Sequence, residues 1–127
     1  MSLRTPLARV LNHGAARDGV AHWWVERVSA LALVPLVIWL LIALLRLPLS
    51  DYGAVAAWIG GGWNPVLLGL LVLTACRHSQ LGLEVVIEDY VRHGWKTFLL
   101  LLSTFIHVLL AAGGVYAVLR IALRMAA

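Results

Sequence analysis

The chain has 127 residues, 62% of them hydrophobic and 13% charged, with one cysteine and a formal net charge of +4. A soluble domain of this size could not bury so much apolar surface, so lipid must solvate much of it. The single Cys76 rules out an internal disulfide framework, and basic residues scattered around helix ends do not suggest nucleic acid.

The first residues read as a polar N-terminal segment, about 1–20, ahead of the first span. Arg4, Arg9, Arg17, Asp18 and Glu26 interrupt any apolar core of a secretory signal, and the two acids weigh against a mitochondrial-type presequence. Three segments then lack Asp, Glu, Lys and Arg altogether: Val28–Leu45, Tyr52–Cys76 and Thr97–Leu119. Each is near or above the roughly 18–20 residues that cross a bilayer as a helix. The fold class they predict is all-α. It is an integral membrane protein with three transmembrane helices over about residues 22–46, 64–88 and 97–121, in one domain covering 1–127.

In chain order, the first helix starts near Ala21–Trp24, at an interfacial tryptophan pair, and carries Pro35, which should kink it or lock a packing contact. Pro48, Ser50, Asp51 and Gly60-Gly61-Gly62 read as an extramembrane connection, with Trp58 and Trp63 as interfacial anchors. Asn64-Pro65 opens the second helix, proline being acceptable in a first turn. Cys76 within it reads as a small buried hydrophobe. Arg92, His93, Gly94 and Lys96 form a basic turn, and Gly113-Gly114 in the third helix marks a close helix contact. Arg4, Arg9, Arg17, Arg27, Arg92 and Lys96 outnumber Arg46, Arg120 and Arg124 on the opposite side, which predicts a cytoplasmic N-terminus.

The stretch His78-Ser-Gln-Leu-Gly82-Leu-Glu84-Val-Val-Ile-Glu88-Asp89-Tyr90 concentrates the chemistry. A histidine in hydrocarbon is costly and calls for a ligand, a proton path or a buried partner. At ~1.5 Å per residue, His78 lies roughly 15 Å deep and roughly 18 Å from Tyr90 along the axis. His78, Gly82, Val85 and Asp89 share one helix face, with Gly82 leaving room for a bulky neighbour. His107 lies at a similar depth on the third helix. Two histidines at one depth could hold a haem iron between them, or His107 could simply hydrogen-bond Ser103 or a backbone carbonyl. Arg77 calls for an anionic group from a ligand or a neighbouring subunit, or for snorkelling or a helix-to-helix salt bridge. Glu84 on the same face is roughly 10 Å away, too far for an unaided direct pair. At the rim, a quinone needs a hydrogen-bond donor and a proton source, which Tyr90 beside Asp89 could provide; an ordinary polar helix end fits the same residues.

The run His78-x3-Gly82-x6-Asp89-Tyr90-Val91, with Val86-Ile87 before the acidic pair, resembles the hydrophobic membrane anchors of succinate dehydrogenase, respiratory complex II. Upstream, His22-Trp23-Trp24-x2-Arg27-x-Ser29-Ala30-x-Ala32-Leu33-x-Pro35-Leu36 is similar to the start of the first helix in alphaproteobacterial members. The resemblance implies three helices bundled with a second anchor subunit of cytochrome b type, and iron–sulfur and flavoprotein subunits as further partners. It implies haem b as cofactor, with His78 as one axial ligand to the iron, and ubiquinone as substrate. Arg27 would face the haem propionates and the quinone pocket, Tyr90 would hydrogen-bond the quinone, and Asp89 would support it. No catalytic residue is implied, since succinate oxidation belongs to other subunits, and the expected site is a bacterial inner membrane. Two other readings stand beside it: a self-contained small b-type cytochrome using His78 and His107, and a structural or transport subunit without haem.

Overall fold

The computed structural model describes residues 14–91 and 94–126. The expectations for Arg4, Arg9, Arg92 and His93, and for most of the N-terminal segment, lie outside the described residues. Four helices form among the described residues: α1 Gly14–Arg46, α2 Tyr52–Gly60, α3 Asn64–Tyr90 and α4 Lys96–Ala126. Three are long and apolar enough to cross a membrane, over Val20–Arg46, Asn64–Tyr90 and Lys96–Met125. Helix α1 begins before the expected tryptophan pair and runs through Pro35 without a break.

The charge-free stretch Tyr52–Cys76 is two helices. Asp51 starts α2, its carboxylate accepting from the backbone N–H groups of Gly53 at 2.8 Å and Ala54 at 3.2 Å. Such a cap satisfies donors that would otherwise be orphaned at the helix start. The glycine run then ends α2, and Gly62 takes φ +52°, a left-handed conformation that costs glycine little. Part of the expected connection is therefore helical. Trp58, expected as an interfacial anchor, stacks on Trp39 of α1 with ring centroids 5.5 Å apart. Trp63 remains exposed, as expected of an anchor. The Asn64 amide donates to the Trp58 carbonyl at 2.6 Å and ties the end of α2 to the start of α3.

Helix α3 is the centre of the bundle. It packs against α1 on one side and α4 on the other, whereas α1 and α4 do not meet among the described residues. Along both interfaces partner numbers fall on one helix as they rise on the other, as antiparallel neighbours require: Ser29 with His78 and His22 with Glu84, then Val72 with Gly114 and Gln80 with Thr104. Gly114 is the close contact that its glycine pair predicted. A Cβ there would lie 2.7 Å from Val72 Cγ1, so the absence of a side chain lets α3 and α4 approach. Very little apolar surface is buried within the chain. Among the described residues, Leu36, Ala56, Leu81 and Ile87 are the buried hydrophobics, and 6% to 11% of each spanning window is buried. The remaining apolar faces must meet lipid or other helices.

Candidate functional site

His78 faces α1. Its Nδ1 lies 3.0 Å from Ser29 Oγ, and that hydroxyl in turn donates to the Glu26 carbonyl at 2.9 Å. A carbonyl cannot donate, so the single hydroxyl proton of Ser29 is committed to Glu26. Ser29 Oγ therefore accepts from His78 Nδ1–H. This leaves Nε2 as the unprotonated nitrogen, and among the described residues it has no hydrogen-bond partner. Beside it, a Cβ on Gly82 would meet nothing within 4 Å, so that face of α3 is open. A half-buried imidazole with its Nδ1 held and its Nε2 free, next to open space, fits the axial ligand of a haem.

His107 is buried and differently engaged. Its Nδ1 donates to the Ser103 carbonyl at 2.8 Å, with Ser103 Oγ also near at 3.4 Å. Its Nε2 lies 3.2 Å from Ser79 Oγ on α3, where it accepts from the hydroxyl. Both nitrogens are thus satisfied inside this chain, and neither is offered to a metal.

Arg77 finds its partner through an intermediary that sequence reasoning missed. Arg77 Nη1 donates to Gln80 Oε1 at 3.2 Å, and Gln80 Nε2 donates to Glu84 Oε1 at 2.8 Å and to Thr104 Oγ1 at 3.3 Å. Glu84 Oε2 lies 3.5 Å from His22 Nε2 on α1. The ladder follows the i, i+3, i+7 spacing of Arg77, Gln80 and Glu84 along one face, which was the signal available in the sequence. It joins α3 to Thr104 of α4 and sets Glu84 beside His22 of α1, with no direct Arg77–Glu84 pair.

Arg27 is exposed, its guanidinium 5.5 Å above the Trp23 ring, with no carboxylate in ion-pair range among the described residues. Being two positions from Ser29, it lies near the level of His78 but about 200° round α1, away from the α1–α3 interface. A cavity of about 450 Å³ runs along that interface, lined by Trp24, Val28, Ser29, Thr74 and Arg77 among others. A slightly larger one, about 500 Å³, lies at the other end of the bundle between α2 and α4 and shares no residue with this site.

Asp89 and Tyr90 end α3, both exposed, Tyr90 to 81%. Successive helical side chains diverge by about 100°, and no hydrogen bond joins these two among the described residues. Lys96 Nζ lies 3.9 Å from Glu88 across the turn. The rim therefore presents a phenol and a carboxylate outward on adjacent positions, with no hydrogen-bond partner among the described residues.

Over residues 1–115 the chain matches the family described as Succinate dehydrogenase/Fumarate reductase transmembrane subunit. It is similar to the succinate dehydrogenase hydrophobic membrane anchor subunit of Rickettsia bellii, 34% identical over 69% of this chain and 70% of the relative. The corresponding subunit of Paracoccus denitrificans is 27% identical over 94% of this chain and 92% of the relative. The succinate dehydrogenase membrane anchor subunit of Reclinomonas americana is 31% identical over 70% and 76%. No solved structure matches.

Proposed function

The chain belongs to the succinate dehydrogenase/fumarate reductase transmembrane subunit family, as a multi-pass membrane anchor subunit of succinate dehydrogenase, and from that premise we propose that it holds one side of a haem b and helps form the quinone-reduction site. The observation that carries this reading is the unpartnered Nε2 of His78 beside the open face at Gly82. When bound, the haem supplies a reversible one-electron carrier at membrane depth. His78 would hold it through Nε2, the second anchor would supply the partner ligand, and Arg27 would offer its guanidinium to the propionates and the edge of the quinone pocket.

At the rim, Tyr90 donates its hydroxyl proton in a hydrogen bond to a ubiquinone carbonyl oxygen, and Asp89 beside it supports the site as an acceptor. Reduction to the quinol takes up two electrons and two protons. The electrons come from the iron–sulfur subunit after succinate is oxidised on the flavoprotein. The protons come from water, and the exposed phenol and carboxylate stand where they would enter. The chain alone is not a catalyst. The reading places the Tyr90 end and the N-terminus in the cytoplasm, with the helices crossing a bacterial inner membrane.

The self-contained cytochrome would need a free nitrogen on His107, and both of its nitrogens have partners. The Arg77–Gln80–Glu84 ladder is what a structural or transport subunit would rely on, yet it leaves His78 Nε2 and Tyr90 without a role. The test is Tyr90→Phe in the assembled complex. Succinate–ubiquinone reductase activity should fall about tenfold, the worth of one hydrogen bond of about 1.4 kcal/mol, while succinate-driven reduction of an artificial dye is retained. Equal loss of both activities would contradict a quinone role for Tyr90.

A further inference from the structure

We propose that Ser29 is the positioning residue for the metal-binding nitrogen of His78, an inference that rests on the reading of His78 as a haem ligand. Ser29 is buried within the α1–α3 interface and makes two contacts that together leave its hydroxyl no freedom. Donation to the Glu26 carbonyl at 2.9 Å, one turn back on α1, fixes where the proton points. The Oγ lone pair then faces His78 Nδ1 at 3.0 Å across the interface.

Three consequences follow for the imidazole. Its proton is kept on Nδ1, so Nε2 is the nitrogen available to iron. Its ring plane is held relative to α1, which makes the packing of α1 on α3 part of the ligand geometry. Its donor strength rises, because a ligating histidine whose other N–H is hydrogen-bonded is a more basic ligand. No other described residue lies within hydrogen-bond range of Nδ1, so removing the Ser29 hydroxyl leaves that N–H without a partner in a largely apolar interface. His107 shows that this placement is specific: there a serine from the neighbouring helix meets Nε2 instead, and the nitrogen a metal would need is used up.

The experiment compares Ser29→Ala, Ser29→Thr and Ser29→Val with wild type and His78→Ala, each purified as the complex through a tag on this chain. Haem content, the reduced-minus-oxidised spectrum and the haem midpoint potential are read, with dye reduction reporting assembly. Ser29→Ala should weaken haem binding by about 10- to 100-fold and raise the midpoint potential of the haem that remains, since a weaker donor favours the ferrous state. Ser29→Thr keeps a hydroxyl that can bond the preceding turn and should restore both values. If Ser29→Ala does not assemble, the threonine and valine variants carry the test: equal in shape, they must differ in haem content and potential.

Full haem with an unmoved potential in Ser29→Ala, or no difference between the threonine and valine variants, would overturn the role of Ser29 and leave His78 as ligand intact. A wild-type complex without haem, or an unchanged spectrum in His78→Ala, would instead overturn the ligand assignment and this inference with it.

Discussion

His78 and His107 are the same residue type at one depth on adjacent helices, and the chain uses them oppositely. Both carry their proton on Nδ1 and give it to an oxygen: Ser29 Oγ for His78, the Ser103 carbonyl for His107. They differ at Nε2. A serine of α3 occupies it in His107, and no described residue occupies it in His78. The surroundings follow the same division. Between α3 and α4 a missing side chain at Gly114 lets the backbones close, and Ser103 and His107 are buried there. Between α1 and α3 a cavity remains, and Gly82 faces open space. Both glycines are small residues in spanning helices, but one has been filled by a neighbour and the other kept clear. On the proposed reading, what the next helix places opposite the second nitrogen separates the histidine offered to a metal from the one that ties helices together.

The contrast can be broken at four points. The largest effect is expected from Gly82→Leu, whose Cβ would meet no described residue within 4 Å and whose side chain would fill the face next to His78. The complex should lose its haem almost entirely, while the detergent-solubilised chain keeps its helical content by circular dichroism. Retained haem would show that Gly82 borders lipid only. Gly114→Val should act on the other interface, since its Cβ would sit 2.7 Å from Val72 Cγ1. Overpacking of this kind costs about 1–3 kcal/mol, to be read as a lower midpoint of thermal unfolding in detergent. His107→Ala should cost about 0.6–1.7 kcal/mol, the range for a hydrogen bond between membrane helices, and should leave haem content unchanged. Lys96→Ala removes an exposed ion pair at 3.9 Å from Glu88 and should change stability by about 0.5 kcal/mol or less.

The three spans were legible because Val28–Leu45, Tyr52–Cys76 and Thr97–Leu119 are free of Asp, Glu, Lys and Arg for about the length a bilayer-crossing helix needs. Helix α2 was hidden inside one of those charge-free stretches. Its existence depends on the Asp51 cap and on Gly62 reaching a positive φ, local geometry that hydropathy does not register. For Arg77 the search went to charges, and the answer was the neutral Gln80, whose amide can accept from the arginine and donate to Glu84 at once. His107 was half legible, since its Ser103 partner lies one turn back on the same helix. Ser79 came only with the register of α3 against α4. Ser29 stood in the quoted helix 1 pattern without a role for the same reason: what it does exists only once α1 lies against α3.

The most direct test of the division between the two histidines is a dithionite-reduced minus oxidised spectrum of the complex purified through this chain. Wild type, His78→Ala and His107→Ala would be measured side by side. The account predicts b-type bands in wild type and His107→Ala and their loss in His78→Ala. Loss in both variants would put the two histidines on one haem, and bands surviving in His78→Ala would remove it as a ligand.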